Sequence, residues 1–293
     1  MPASFSPVRL GRSPLDVVPL GLASAYGAKG RDVEHAFERG IDFFYWGSYR
    51  TPDFGGGLKR LAKRSRERMK IVIQSYARSP AGVGKSLEKA LRQLELDHAD
   101  VLLLGWWNLA PKEEILDAAA DLVRRGRARA LMISCHNRPA FKHFARDPRI
   151  DLLMVRYNAA HPGADKDVFP HLPDARPGIV TYTSTSWGQL LDRKLVPADE
   201  RLPRAADCYR FALSNPNIGA CWAGAKDTAQ IDEALKALEE GPMTEEELAW
   251  MHRIGARVRE TTKLQARGMG IADRLVNLYS GFGFRTTSQL GER

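Results

Sequence analysis

Short apolar segments alternate with longer amphipathic segments along most of the chain. Several of the apolar segments, such as Val-Leu-Leu-Leu at 101–104, have no polar position at all. This pattern is typical of a parallel strand whose two faces are both covered. It predicts eight strands, over residues 17–22, 43–45, 71–74, 101–104, 130–134, 152–155, 178–182 and 220–222.

Helical periodicity fills the intervals between the predicted strands. It predicts helices over residues 31–39, 56–66, 82–94, 112–125, 139–145, 165–172, 205–213 and 228–238. Eight such units favour a closed α/β barrel, the (β/α)8 TIM barrel, which needs about 250 residues; the chain has 293. An open doubly wound sheet is the alternative, but the turn at 23–29 lacks the GxGxxG signature of dinucleotide-binding sheets.

The pattern changes after residue 240. Residues 243–260 predict a helix in which Thr244 is the N-cap and Glu247 closes a capping box, and residues 265–278 predict a further helix. Neither a linker nor a shift in composition divides the chain. We therefore expect a single domain over 1–293, with the barrel over about 15–240 and a C-terminal helical extension over 243–280.

The net charge of +9 raises the question of a nucleic-acid partner. The densest basic run, at 59–70, has helical spacing with Leu58 and Leu61 on its apolar side. We interpret it as a solvated helix face, because no nucleic-acid-binding motif accompanies it. The three cysteines form no CxxC pair, and no apolar run has the length of a signal peptide or a membrane span. These features predict a cytoplasmic protein with neither nucleic acid nor a membrane as partner.

Several sequence segments occur in the order that a known enzyme family has them. They are Gly-Ile-Asp-Phe-Phe at 40–44, the helix-to-strand segment at 86–104, the strand at 130–134, Tyr182 with the following Gly188, and the segments 212–216 and 224–230. Together they resemble the aldo/keto reductases over about 17–238. The resemblance implies a barrel enzyme that uses NADP(H) to interconvert a small carbonyl compound and an alcohol.

The catalytic residues that the resemblance implies are largely replaced. The family uses a tyrosine acid, a lysine paired with an aspartate, and a histidine that orients the substrate. Tyr45 stands at the aspartate position, Gln74 at the lysine position and Gly105 at the histidine position. Tyr49 matches the tyrosine if the preceding turn is one residue shorter than usual; otherwise Arg50 takes that position. The sequence therefore predicts an altered proton relay.

The loops after the strands meet at one rim of a barrel, which we call its mouth. The other residues expected at this mouth are mainly aromatic or basic. His136 is, with Tyr49, a candidate proton donor, since histidine titrates near neutrality. Arg156 is costly to bury unpaired, which favours an anionic group on the substrate. No carboxylate accompanies these residues, so no metal site is expected. The predicted substrate contacts are Tyr45, Trp46, Trp106, Trp107 and Arg156.

The cofactor residues that the resemblance implies are better preserved. Tyr182 matches the aromatic residue that stacks on nicotinamide, and Ser134 matches a residue that bonds the carboxamide. Met154 replaces a glutamine that shares this role, and Lys226 matches the basic residue at the 2′-phosphate. The implied NADP(H) contacts are Ser134, Tyr182, Gly188, Gly224, Lys226, Gln230 and Glu233.

The leading hypothesis is an NADP(H)-binding oxidoreductase with an altered proton relay. Two alternatives stay open at this point. One is a catalytically inactive barrel that binds an anionic or aromatic ligand through Arg156 and the tryptophans. The other is a non-redox lyase or isomerase that uses His136 or His161 as acid or base. The sequence leaves the substrate and the oligomeric state open.

Overall fold

Eight parallel strands close into a barrel. The computed structural model describes residues 5–47, 51–107 and 109–268, and the side chains up to residue 263. The barrel order is β10-β3-β4-β5-β6-β7-β8-β9, which confirms the predicted TIM-barrel fold. A hairpin of β1 (Val8–Arg9) and β2 (Asp16–Val17) precedes the barrel strands, which are β3 (Leu20–Ala23), β4 (Phe43–Trp46), β5 (Lys70–Ser75), β6 (Ala99–Trp107), β7 (Ala128–Cys135), β8 (Leu152–Arg156), β9 (Gly178–Tyr182) and β10 (Ala220–Ala223).

Helices connect the strands on the outside of the barrel. The α3 helix shows how such a helix begins: the side chain of Ser79 accepts a hydrogen bond from the Gly82 amide, and Pro80 occupies the first helical position. The helices are α1 (Gly30–Glu38), α2 (Pro52–Ser65), α3 (Pro80–Leu94), α4 (Glu113–Arg124), α5 (Phe141–Phe144), α6 (Ala164–Asp167), α7 (Ala205–Leu213), α8 (Thr228–Glu240) and α9 (Glu245–Gly268).

Two apolar cores explain why whole strands are buried. Leu103 belongs to the core inside the barrel, whereas its neighbours Leu102 and Leu104 belong to the core between strands and helices. Successive strand residues point to opposite faces, so both faces of β6 are covered by apolar side chains. Position along a strand therefore decides whether a mouth residue faces the barrel interior or the surrounding helices.

The single strand predicted at 17–22 is two separate elements in the structure. Val17 pairs with Val8 in the N-terminal hairpin, and the barrel strand begins only at Leu20. Leu10 and Leu15, from the connection of this hairpin, pack with Val17 into the inner core. The hairpin therefore closes the end of the barrel opposite the mouth.

The C-terminal extension also differs from its prediction. A single helix, α9, runs from Glu245 to Gly268 through the expected break, and the hydroxyls of Thr261 and Thr262 donate to Arg257 and Val258 carbonyls within it. The remainder of the predicted helix 265–278 lies outside the described residues. A Cβ on Gly255 of α9 would fall 2.1 Å from the Ala159 carbonyl oxygen. This close contact places α9 against the loop that follows β8, beside the mouth.

The basic run at 59–70 is matched by acidic residues on neighbouring elements. Lys59 and Lys63 both bond Glu95, at 2.6 and 3.0 Å. Arg60 bonds Glu34 at 2.8 Å in the same way. Within the described ranges, no helix is long and apolar enough to cross a membrane.

Candidate active site

The carboxyl ends of the barrel strands bring several inward-facing side chains together. Tyr45 of β4 and Tyr182 of β9 pack against the inner core, which also contains Met154 and Trp222. The Tyr45 and Trp222 ring centroids lie 5.5 Å apart. The floor of the mouth is therefore aromatic, as the sequence indicates.

A neutral pair occupies the place where the resemblance expects an aspartate and a lysine. The hydroxyl of Tyr45 donates a hydrogen bond to Oε1 of Gln74. Burial raises the pKa of Tyr45 well above its ordinary value, and the neighbouring hydroxyls of Tyr76 and Tyr26 raise it further. The phenol therefore stays protonated, and among the described residues no charged lysine or arginine is a cause of its pKa shift.

The absence of a side chain at position 105 is linked to Gln74. A Cβ on Gly105 would fall 1.6 Å from Nε2 of Gln74. That nitrogen is buried and has no hydrogen-bond acceptor among the described residues. The Gln74 amide thus fills the space that the family's histidine would need.

A bulge in β6 carries Trp106 into the mouth. The strand register shifts between Leu104 and Trp107, and Trp106 has a φ of 59°. The Trp106 amide donates to Oγ of Ser134 at 3.0 Å. Its ring is 36% exposed and meets the edge of Tyr76, with centroids 5.1 Å apart. Trp106 is therefore placed where a substrate could contact it.

Trp46 and Trp107 do not face the mouth. Trp46 is only 3% exposed, belongs to the outer core and donates from Nε1 to the Thr51 carbonyl at 3.2 Å. Trp107 packs against the same outer core. Each tryptophan follows a mouth-facing residue by one position, so strand alternation turns its side chain outward. This corrects the prediction that these two residues contact substrate.

Arg78 braces the β6 bulge instead of entering the mouth. Its guanidinium donates to the carbonyls of Gly105 and Trp106 at 3.0 and 2.8 Å, and to that of Tyr76 at 3.0 Å. The guanidinium also lies 4.1 Å above the Trp107 ring. These contacts commit Arg78 to the backbone and to the Trp107 ring.

Three adjacent strands supply the residues that the resemblance assigns to nicotinamide. Ser134 of β7 pairs with Met154 of β8, and Met154 pairs with Val180, two positions before Tyr182 on β9. The Ser134 hydroxyl accepts from the Trp106 amide, so its own hydrogen remains able to donate. Burial raises the pKa of Tyr182 to about 12, and its hydroxyl stays neutral.

The loop after β9 has an unusual backbone. Gly188 has a φ of 84°, and Thr183, Ser186 and Trp187 also have positive φ values, of 58°, 51° and 54°. Such conformations are strained for residues other than glycine and persist where surrounding contacts hold them. Gly188 begins the short turn Gln189–Leu191. The loop is thus held in a fixed shape next to Tyr182.

The turn after β10 is the expected phosphate segment. A Cβ on Gly224 would fall 2.8 Å from the ring of Tyr26, so the loop after β3 lies against this turn. Tyr26 is 47% exposed. Its ring and Gly224 therefore line one surface beside the mouth.

At the start of α8, the backbone donors are partly occupied. Asp227 caps the helix by accepting the Gln230 amide at 3.0 Å, and the Gln230 side chain accepts the Lys226 amide at 3.0 Å. Glu233 bonds Lys236 at 2.7 Å. The Lys226 ammonium is exposed and lies 3.9 Å from Asp227. Lys226 is thus the cation that this segment offers to a phosphate.

Arg156 and two histidines lie on the opposite side of Tyr182. Arg156 pairs with Tyr182 in register and is half-buried. Burial and the charge of Arg156 lower the pKa of His136, and the same two causes lower that of His161 to about 4. Both imidazoles are therefore neutral near pH 7.

The model of the aldo/keto reductase family matches residues 29–203, more than half of the 293 residues. This chain belongs to the aldo/keto reductase family. Family membership supports an oxidoreductase and, since the family generally uses NAD(P)H, a nicotinamide cofactor.

Individual relatives agree with this assignment. L-galactose dehydrogenase of Arabidopsis thaliana is 24% identical over 305 residues, covering 86% of this chain and 95% of that protein. Norsolorinic acid reductase B of Dothistroma septosporum is 25% identical over 131 residues, covering 42% and 33%. The aldo-keto reductase AKR11C1 of Bacillus halodurans, in its holo form, has the same fold, with a TM-score of 0.73 and 20% identity over 85% of this chain and 96% of that one.

In this aldo/keto reductase the role of Tyr49 stays a prediction, whereas the reactivity of Cys135, the neighbour of His136, follows from its surroundings. Tyr49 lies outside the described residues. Cys135 is buried and donates to the Asn137 carbonyl at 3.5 Å, and burial raises the pKa of its thiol. Cys135 is therefore not an activated nucleophile. Among the described residues, no group of three His, Cys, Asp or Glu side chains could hold a metal ion.

Sequence reasoning missed three residues at the mouth. Tyr26 is on the loop after β3. This loop lacks the GxGxxG motif, and nothing else in its sequence singles out Tyr26. Trp187 has an exposed ring on the strained loop after β9. Arg259 belongs to α9. The spacing of apolar residues along α9 predicts a helix but does not indicate that this helix lies beside the mouth. An aromatic residue directly before Gly188 was the one signal available in the sequence.

Proposed function

We propose that this chain is an NADP(H)-dependent oxidoreductase that interconverts a small carbonyl compound and an alcohol through an altered proton relay. The observation that carries the proposal is the arrangement of Ser134 and Tyr182 on β7 and β9, on either side of Met154. Two of the three positions that the resemblance assigns to nicotinamide, Ser134 and Tyr182, thus match the family, while Met154 and the charged relay beside them depart from it.

The residues around the mouth fit a dinucleotide. The Ser134 hydroxyl has a hydrogen to donate to a carboxamide, and the Tyr182 ring offers a stacking surface. Lys226 offers an exposed ammonium to a 2′-phosphate. The bound nicotinamide would supply or accept the hydride. Gly188, whose α-carbon has open space beside it, would let the backbone approach the phosphates, Gly224 would let the Tyr26 ring pack beside the cofactor, and Gln230 and Glu233 would bond the adenosine portion.

The proton must come from groups other than a lysine-tuned tyrosine. Tyr45 keeps its proton because burial raises its pKa, and its hydroxyl is held by Gln74. Since that hydrogen is donated to Gln74, the Tyr45 oxygen can still accept one, and we assign it to orienting the hydroxyl of an alcohol substrate. His136 is only partly covered by its neighbours and can exchange its proton with solvent. We propose His136 as the acid or base of the relay, with Tyr49 as the other candidate donor.

The lowered pKa of His136 gives the relay a direction. At neutral pH the imidazole is mostly neutral, so it accepts a proton better than it donates one. A general base of this kind suits alcohol oxidation, and its protonated form, populated in mild acid, suits carbonyl reduction. The enzyme is therefore expected to reduce carbonyls best below neutral pH.

The test is turnover with a panel of substrates, followed through NADPH absorbance in both directions. The panel includes L-galactose and norsolorinic acid, after which two relatives are named, together with simple aldehydes and aromatic ketones. Turnover of any member with NADP(H) supports the proposal. NADPH binding without turnover of any member would favour the inactive barrel, an alternative that the loss of the lysine and histidine also supports.

A further inference from the structure

Arg156 is a half-buried cation without a counter-charge. It forms no ion pair with any acidic residue in the described part of the chain. Its guanidinium carbon lies 5.9 Å from the centre of the Trp187 ring, and burial lowers its pKa. Holding an unpaired guanidinium away from water costs free energy. An anion that binds there would offset this cost.

Helix α9 brings two more unpaired cations to the loop that follows the Arg156 strand. Arg259 and Lys263 are one helical turn apart, and both line a cavity of about 400 Å³. Neither forms an ion pair with a described acidic residue. The opposite wall of the cavity is the loop after β8, including Ala159 and Pro162. The cavity thus lies between the loop that follows the Arg156 strand and the helix that carries the other two cations.

His161 lies near the same charges, since its ring centroid is 6.3 Å from that of Trp187, the ring that Arg156 also faces. After burial, the causes that lower its pKa are the charges of Arg156, Arg259, Arg138 and Lys263. His161 itself is fixed by Asn158, whose side chain accepts its backbone amide at 2.9 Å. Four cations therefore act on one half-buried imidazole.

The acidic residues nearby do not cancel this charge. Arg138 is paired with Asp167 at 2.7 Å, which accounts for one of the four cations. Glu260 lines the cavity and is paired with Arg257 at 3.0 Å. Arg156, Arg259 and Lys263, which we call the rim cluster, remain unmatched.

We propose that the rim cluster binds an anionic group of the substrate, a carboxylate or a phosphate. The proposal rests on the proposed function, because Arg156 pairs in register with Tyr182 and so places the anion beside the reaction centre. Arginine presents paired donors that match carboxylate and phosphate oxygens. The Trp187 ring, 39% exposed, would cover the apolar part of the same substrate.

The rim cluster is separate from the expected cofactor-phosphate segment. Lys226 follows β10, whereas Arg156 ends β8, and β9 lies between these two strands. A change at Arg156 is therefore expected to alter substrate binding without altering the affinity for the 2′-phosphate of the cofactor.

The test compares two aldehydes of similar shape, 4-carboxybenzaldehyde and 4-carbamoylbenzaldehyde, of which only the first is charged. Arg156→Gln and the double variant Arg259→Gln/Lys263→Gln are expected to raise the KM for the charged aldehyde about ten- to hundredfold, as loss of a charge-assisted hydrogen bond does. The KM for the uncharged aldehyde should stay within about twofold. Arg253→Gln is the control, because Arg253 is an exposed α9 arginine paired with Glu200 instead.

Calorimetric titration with benzoate and with inorganic phosphate tests the cluster without turnover. Wild type and Arg253→Gln should bind at least one probe, and the two rim variants should not. Tighter binding of phosphate would identify a phosphate-bearing substrate, and tighter binding of benzoate a carboxylate. The proposal would be overturned if the rim variants changed the KM for both aldehydes equally. It would also be overturned if neither probe bound to wild type. NADPH binding is measured on the same samples, so failure of the cofactor proposal is seen separately.

Discussion

The side-chain amide of Gln74 lies against the α-carbon of Gly105, so closely that a Cβ at position 105 would fall 1.6 Å from Nε2. The two positions belong to neighbouring strands, whose residues Gln74 and Leu103 pair in register. Because Gln74 also accepts the Tyr45 hydroxyl, three positions that the resemblance assigns to catalysis form one packed unit. The Gln74 amide has its place only because position 105 lacks a Cβ.

Adding one methyl group at position 105 is expected to destabilise the protein. Gly105→Ala should lower the free energy of unfolding by about 1–3 kcal/mol, because the buried Gln74 amide has to move. Thermal and denaturant unfolding measure this change. The double variant Gln74→Ala/Gly105→Ala should show a smaller combined loss than the sum of the two single variants. Gly84→Ala is the matched control, since a Cβ at this helical glycine meets nothing within 4 Å; an equal loss in both glycine variants would contradict the packing argument.

Removing the brace on the β6 bulge is expected to affect stability and the placement of Trp106. Arg78→Gln leaves the carbonyls of Gly105 and Trp106 without their guanidinium donor, which should cost about 1–3 kcal/mol. The thermal midpoint and the fluorescence of Trp106 should both change. Arg92→Gln, at an exposed arginine on α3, should leave both unchanged.

The half-buried imidazole of His161 is expected to make the fold sensitive to acid. Its pKa is lowered to about 4 in the folded protein, against an ordinary value of about 6.5. The unfolded chain therefore binds the proton first, so stability is lost as the pH falls from about 6.5 towards 4. Relative to wild type, His161→Asn should gain stability over this window. His143→Asn, at an exposed histidine on α5, is the control, and a stability difference that does not vary with pH would argue against this origin.

The proposed role of His136 predicts opposite pH profiles for the two reaction directions. Since its pKa is lowered, kcat for reduction should fall, and kcat for oxidation should rise, as the pH increases through a value below about 6.5. His136→Asn should flatten both profiles and reduce kcat by about 10²–10⁴-fold. Profiles that keep their shape in this variant would assign the proton to another group, with Tyr49→Phe as the next variant to measure.

The sequence predicts the barrel well because the central part of most strands is an uninterrupted apolar run. Residues 101–104 and 152–155, for example, both lie within strands that have helices on one side and the inner core on the other. The N-terminal hairpin was missed because each of its strands has only two residues. The sequence pattern consequently assigns Val17 to the barrel strand that follows it.

The site was harder to predict because it depends on the direction of single side chains. Trp46 and Trp107 each adjoin a mouth residue in sequence, but a shift of one residue turns a side chain to the other face. Sequence spacing does not reveal the contact between Gln74 and Gly105, which lie on different strands. Nor does it place Arg259 at the mouth, because the same helical repeat describes any solvated helix.

The central claim is the binding of a nicotinamide dinucleotide, with Lys226 at the 2′-phosphate. The most direct measurement is a fluorescence titration of the protein with NADPH and with NADH. We predict saturable NADPH binding that exceeds NADH binding by about tenfold or more in affinity, and a loss of this preference in Lys226→Gln, because a single charge-assisted contact is worth about this much. Absence of NADPH binding at high micromolar concentration would contradict the account.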